Sequence, residues 1–426
     1  MQIFEPARIG PVELPNRLLR SATFEGMCDD AGCPTKRYLG HYRSLSTKGL
    51  GALITGFTYT ELGGRSMQPG QAGMDKDSNI APFAEVVRGV HGNGGRIFLQ
   101  LAHAGRQTTP AAAGGEVVAP SAKKSWYFGH RPHRLGPEQV HGISQRFAKA
   151  AWRAREAGFD GVQLHAAHGY LIHQFIHPGV NDRVDNYAVD NRSGIGTAFL
   201  KEVILEIRNL CTTDFPILIK ISAGDDCQPT FRPDQYVALI RFLDSMRVAA
   251  VEVSCGTMDE ALNIFRGESV PVDAVLDFNP RFASHNPVWR FISKKLLLPA
   301  VSRRFIPFAP MYNLPAACLA KQHTRVPVIS VGGFRSGQHI RTAIEACSID
   351  FVSLCRPIIS EPDFALRLRE DPNYESRCMN CNRCAIMCDS GKPTHCYGRR
   401  PRRSVNFSAP SNAHLSIPSL VTGVCL

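Results

Sequence analysis

Short apolar runs recur along the chain, and most are followed by a longer stretch whose apolar positions fall three and four apart. The first run, 17–23, reads as a strand and leads to a helix over 36–48. A second strand at 53–56 precedes a helix over 80–91, where Ala81, Phe83, Val86, Val87 and Val90 share one face. A third strand, 97–101, runs into a loop at 107–137 rich in Pro, Gly and Ala. The helix over 138–157 carries Phe147, Ala148, Ala151 and Ala154 at helical spacing. A fourth strand begins at Gly161. Helices over 198–209 and 234–246 then alternate with strands at 216–222 and 249–254. Residues 256–310, with several prolines and aromatics, read as an insertion. Strands at 326–331 and 350–355 bracket a helix over 338–347, and a short helix lies at 364–369. Eight strands alternating with helices imply an α/β fold, a (β/α)8 TIM barrel. A doubly wound sheet is the alternative, but no Gly-x-Gly-x-x-Gly turn follows the first strand.

Polar residues interrupt the strands near their carboxyl ends, where barrels of this kind build their sites. In the fourth strand Val162 and Leu164 face one way and Gln163 and His165 the other, with His168 and Tyr170 just beyond. Taken alone, these histidines also suit an ordinary surface loop. Other strands repeat the pattern, with Gln100 near the end of the third and Lys220 between Ile219 and Ile221 in the fifth. Burying such groups unpaired costs several kcal/mol, so together they imply a polar ligand at the barrel mouth. The seventh strand ends in Gly332-Gly333 and the eighth in Cys355-Arg356. Open backbone N–H groups and a guanidinium fork at these two ends suit a phosphate on that ligand.

Several segments together resemble one family. They are Pro15-Asn16-Arg17, the run from Gln100 to Arg106 (QLAHAGR), Ala157 to Gly161 (AGFDG), His165 to Phe175 (HAAHGYLIHQF), and Arg356-Pro357. The chain is similar to the old yellow enzyme family of FMN-dependent ene-reductases. The resemblance implies that Ala22, Thr23, Phe24 and Gly56 line the flavin ring and that Gln100 bonds its pyrimidine edge. Lys220 would sit by the N1–C2 carbonyl. Gly332, Gly333, Cys355 and Arg356 would grip the phosphate. His165 and His168 would hold the substrate's carbonyl oxygen, and Tyr170 would protonate the α-carbon. The implied reaction is NAD(P)H-dependent reduction of the C=C bond of an α,β-unsaturated carbonyl compound, an enone or an enoyl or dienoyl thioester. The chain departs from the family in holding Ala22-Thr23-Phe24 where Pro, then Leu or Met, then Thr or Cys is common, and Cys355 where many members have Gly.

The sequence holds fourteen cysteines, five of them crowded near its end. Cys378-x2-Cys381-x2-Cys384, with Cys396 further on, is a metal-ligand pattern, and Cys388 lies within it. It resembles the iron–sulfur branch of the same family, which includes 2,4-dienoyl-CoA reductase and trimethylamine dehydrogenase. The resemblance implies a [4Fe-4S] cluster; zinc and unmetallated thiols are the alternatives the spacing leaves open. In those relatives further domains feed electrons to the cluster. None follows Cys396 here, so reduction is expected directly from NAD(P)H or from a separate redox protein. The expected organisation is a barrel over 1–370, a cysteine-rich segment over 371–398 and a basic, disordered tail over 399–426.

Composition narrows the alternatives. Of 426 residues, 44% are hydrophobic and 20% charged, as in a soluble globular protein. No apolar run reaches the ~18 residues that span a bilayer. The first residues lack a signal-peptide pattern, which points to the cytoplasm. The net charge is +12, part of it in Arg399, Arg400, Arg402 and Arg403. One short basic run falls short of the stripe that nucleic acid requires, so an RNA-modifying or RNA-binding flavoprotein, resembling tRNA-dihydrouridine synthases, ranks behind the ene-reductase. An amine or betaine-type demethylase or dehydrogenase on the same scaffold is a further reading. The two histidine donors weigh against it, because an amine calls for aromatic or acidic neighbours. A non-catalytic, metal-stabilised scaffold is the remaining class. Neither a membrane partner nor nucleic acid is expected, and a homo-oligomer is compatible with the resemblance.

Overall fold

The computed structural model describes residues 2–225, 229–280, 282–283, 286–297, 299 and 303–398. The segment 399–426, expected to be a basic disordered tail, lies outside the described residues. Eight parallel strands form a closed barrel: β1 (Leu18–Arg20), β2 (Ala52–Ile54), β3 (Ile97–Ala102), β4 (Gly161–Ala166), β5 (Ile217–Ser222), β6 (Ala250–Ser254), β7 (Val328–Val331) and β8 (Phe351–Leu354). Each strand pairs with the next in sequence, and β8 pairs with β1 to close the ring.

Alternation along each strand sorts residues between two environments. Ile97, Leu99, Leu101, Val162, Leu164, Ile219, Ile221, Val251 and Val253 point outward into one large core shared with the surrounding helices. Phe98, Leu218, Ala250, Ile329 and Phe351 point inward and form a separate apolar cluster with Leu19, Ala52 and Ile54. A hairpin of Ala7–Ile9 and Val12–Leu14 closes the amino end of the barrel, inserting Ile9 and Leu14 into that inner cluster. The barrel therefore has an apolar floor. Its inward positions nearer the carboxyl ends are polar and buried: Ser21, Gln100, Gln163, His165, Lys220 and Glu252.

Four of the predicted helices appear at Lys36–Leu45, Ile80–His91, Pro137–Glu156 and Ala198–Cys211, and a fifth at Pro233–Ser245. The stretch 338–347 differs from expectation. It is helical over Gly337–Arg341 and then widens into a π turn over Thr342–Ala346. The insertion folds into short helices at Ala261–Phe265, Val272–Phe278 and Pro287–Ile292. It does not stand alone: Val270, Val275 and Leu276 pack on Ile386 of the cysteine-rich segment. That segment crosses the barrel mouth. Glu268 N–H donates to Asn380 O at 3.0 Å, and Thr394 N–H donates to Glu25 O at 2.8 Å. Among the described residues no helix is long and apolar enough to cross a membrane.

Candidate active site

A buried hydrogen-bond chain lies just above the apolar floor. Gln100 Nε2 donates to Gln163 Oε1 at 2.7 Å, and Gln163 Nε2 donates to Glu252 Oε2 at 2.8 Å. Ser21 Oγ donates to Glu252 Oε1 at 2.8 Å, and Lys220 Nζ reaches Ser21 Oγ at 3.0 Å and Glu252 Oε2 at 3.3 Å. The register explains the meeting, since Lys220 lies beside His165 on β4 and beside Glu252 on β6. The sequence reading missed Gln163 as a site residue and Glu252 altogether. The signal for Glu252 was a lone carboxylate at the inward position of an apolar strand.

A cavity of about 220 Å³ opens above this chain, lined by Ala22, Thr23, Phe24, Gln100, His165, His168, Tyr170 and Lys220 among others. It shares Ala22, His168, Lys220, Cys355 and Arg356 with a smaller recess that also contains Gly332, Gly333 and Arg335. One elongated site thus joins a broad end over the barrel to a narrow end at β7 and β8. Gly332 (φ +116°) and Gly333 (φ +79°) occupy the left-handed half of conformational space. A Cβ at Gly332 would lie 2.6 Å from the Tyr312 ring, and one at Gly333 2.4 Å from Met311 N. Arg356 is held by Asn382 Oδ1 at 3.0 Å and Arg266 O at 3.1 Å. Arg335, which sequence reasoning overlooked, is tied to Ser376 O while its buried Nε has no partner.

The chain turns sharply after β4 to present its polar groups. His168 (φ +59°) and Gly169 (φ +77°) are both left-handed. His168 N–H donates to Ser222 Oγ at 3.1 Å, Met258 N–H to His168 O at 2.9 Å, and Gly169 N–H to His173 Nδ1 at 2.9 Å. These bonds pin the turn to the ends of β5 and β6. Tyr170 then stands at the start of the short helix Leu171–Ile176, its side chain making no capping bond. The result is a tight array in which the His165 ring centre is 4.9 Å from His168 and 4.7 Å from Tyr170, both edge-on. His168 Nε2 contacts Ser254 Oγ at 2.8 Å, and His165 Nδ1 is buried with no partner.

Burial sets the protonation states. It lowers the basicity of His165, helped by Lys220, and that of His168, helped by His165 and Lys220, so both rings are neutral near pH 7. Burial, with Cys388 and Asp389 nearby, raises the Tyr170 phenol well above its usual range, so it keeps its proton.

Two expected assignments fall differently. Gly56 does not line the cavity: its N–H donates to Glu25 Oε1 at 2.6 Å, and the Glu25 carboxylate covers it. Tyr42 and Arg20 bind that same carboxylate, making a buried support beneath residues 23–25. The four thiols predicted as metal ligands do not converge. Cys381 and Cys396 meet at Gly398, each sulfur 3.6 Å from where its Cβ would stand, whereas Cys384 turns to the cavity wall with Cys388. Among the described residues no three His, Cys, Asp or Glu side chains gather as a metal site.

The residues do fit a flavin mononucleotide. With Nε2 engaged by Gln163, Gln100 has its carbonyl oxygen free for an N–H of a pyrimidine ring. Lys220 is a buried cation at the same edge, and two guanidinium groups with open glycine backbone lie at the far end. A barrel with such a site defines a class, the flavin-handling (β/α)8 oxidoreductases. Residues 2–259 match the model of the NADH:flavin oxidoreductase / NADH oxidase family, and the chain belongs to that family, the family of the old yellow enzymes. It is 29% identical over 392 residues to an NADH oxidase of Thermoanaerobacter brockii, covering 92% of this chain and 54% of the relative. A structure of 2-naphthoyl-CoA reductase with 2-naphthoyl-CoA shares the fold with a TM-score of 0.72 at 20% identity, covering 89% of this chain and 54% of that one. An old yellow enzyme homologue from Zymomonas mobilis does so at 0.67 and 23% identity, covering 89% and 96%. The chain spans about half the length of the NADH oxidase and of the naphthoyl-CoA reductase.

Proposed function

We propose that this chain is an FMN-dependent reductase of the C=C bond of α,β-unsaturated carbonyl compounds, drawing on NAD(P)H. The observation that carries the reading is the array of His165, His168 and Tyr170 beside the Gln100–Lys220 edge in one cavity. Bound FMN, once reduced by NAD(P)H, supplies a hydride donor at N5. Gln100, Lys220, Arg335, Arg356 and the Gly332-Gly333 backbone would hold it; Ala22, Thr23 and Phe24 would line its ring.

The protein's own part is electrostatic and acid–base. His165 and His168, both neutral, donate N–H bonds to the carbonyl oxygen on which charge collects as the β-carbon accepts hydride. Tyr170, held protonated, gives its proton to the α-carbon. The buried Lys220 favours added charge at the pyrimidine edge. The aromatic rings around the cavity exclude water from the reacting carbons.

Enoyl or dienoyl thioesters belong with enones as substrates on this reading. The cytoplasm, and an NAD(P)H or protein electron donor, follow from the same reading. The spacing of Cys378, Cys381, Cys384 and Cys396 along the chain supports a [4Fe-4S] cluster, with zinc the lesser choice, and the four thiols would have to draw together to hold either; iron and acid-labile sulfide analysis decides between them.

Stopped-flow mixing under anaerobic conditions tests the proposal. NADH or NADPH should bleach the flavin band, and a cyclic enone should restore it with one equivalent of saturated ketone. Bleaching without reoxidation by any enone or enoyl thioester would defeat it.

A further inference from the structure

The cavity wall contributed by the cysteine-rich segment carries a carboxylate, Asp389, that no cation among the described residues balances. Asp389 Oδ1 accepts from Gln68 Nε2 at 3.0 Å, and Oδ2 accepts from Asn279 Nδ2 at 3.3 Å. Both partners are neutral amides. Burial pushes the carboxyl up to about 6, which leaves it mostly ionised at pH 7. Among the described residues no cation pairs with it. The other acidic residues lining the cavity differ. Asp259 is held by Arg106 at 3.3 Å, with Ser125 and the Tyr127 N–H, and Glu260 is held by Arg304 at 3.1 Å.

The surroundings suit a positive guest. Tyr127 and Phe282 line the same cavity, as does Trp126, whose ring already carries the Arg304 guanidinium 5.3 Å from its centre. The Tyr127 hydroxyl is bonded to Asn279, which in turn holds Asp389. Aromatic faces attract an ammonium group, and a carboxylate set among them keeps more of its Coulomb attraction than one in water. Asp389 also lies close enough to Tyr170 to raise its phenol. A group bound at Asp389 therefore sits within one small molecule's reach of the proton donor.

We propose that Asp389 is the anchor of a cation subsite, selecting substrates that carry an ammonium group at the end remote from the activated double bond. The inference rests on the ene-reductase reading and narrows its substrate class. Gln68 and Asn279 orient the carboxylate, and the carbonyl end of the same molecule reaches His165 and His168.

The test uses the flavin-loaded enzyme and two enones of matched shape, one with a trimethylammonium group and one with the neutral tert-butyl equivalent. Binding to the oxidised enzyme is read from the perturbed flavin spectrum, and kcat/KM from enone reduction. The cationic enone should bind roughly tenfold or more tightly. Asp389→Asn should abolish that preference while leaving the neutral enone's binding unchanged. Equal affinities in the wild type, or an equal loss of both enones in Asp389→Asn, would overturn the subsite. Asp389-dependent binding of the cationic enone without turnover of either compound would uphold the subsite and refute the reaction class instead.

Discussion

Lys220 Nζ lies 3.3 Å from Glu252 Oε2 inside the barrel, and each side chain is at most 5% exposed. The pair forms the top of the apolar floor, and Ser21 and Gln163 complete the carboxylate's bonds. A buried ion pair of this kind does more for the local potential than for stability, since desolvation offsets much of the attraction. On the proposed reading Glu252 therefore moderates the positive field that Lys220 would direct at the flavin's pyrimidine edge.

Replacing Glu252 with Gln removes that moderating charge and retains the side-chain shape. The bound flavin's midpoint potential should rise by tens of millivolts, because an unopposed Lys220 favours added electrons. Dye-equilibrated reductive titration measures it. An unchanged or lower potential in a folded variant would show that the pair has no such role.

Tyr170→Phe removes the proposed proton donor and keeps the ring against Phe57 and His165. Flavin reduction by NAD(P)H should proceed at the wild-type rate. Reoxidation by an enone should slow by roughly 10²-fold or more, the usual contribution of a positioned general acid. Full-speed reoxidation would remove Tyr170 from the proton-transfer step.

The protonation states predict a flat profile. His165 and His168 are neutral well below the ordinary histidine range, and Tyr170 stays protonated above the ordinary tyrosine range. In Asp389→Asn, which removes the carboxyl that burial lifts to about 6, kcat/KM for a neutral enone should be constant from pH ~6 to ~9. A decline centred near pH ~6.5 would mean that a histidine charges in the working range.

Gly332→Ala forces a Cβ to within 2.6 Å of the Tyr312 ring at φ +116°. The loop after β7 must shift, at a cost of about 1–3 kcal/mol. The variant should lose FMN on dilution while its circular dichroism stays close to the wild type's. Unaltered FMN affinity would place the phosphate elsewhere.

The barrel was legible because each long strand alternates between two different apolar surroundings, as Leu218 and Ile219 do on β5. The closing hairpin was not, since three residues per strand carry no measurable period. Gln100, His165 and Lys220 stood out as polar residues at strand ends, and they share a cavity. Glu252 obeys the same rule on β6 but passed unnoticed in a short strand. Arg335 and Asp389 owe their positions to tertiary packing, where the cysteine-rich segment folds back over the mouth, and spacing along the chain carries no trace of that. Gly56 misled because the contact that covers it comes from Glu25, thirty-one residues earlier.

On the proposed function one FMN seats across Gln100, Lys220 and Arg356. The visible spectrum of the purified protein, reconstituted with FMN and desalted, tests it most directly. Flavin absorption bands should appear, with one FMN per chain released on denaturation and binding lost in a Lys220→Ala, Arg356→Ala double variant. A colourless protein after reconstitution, or full flavin retention in the double variant, would contradict it.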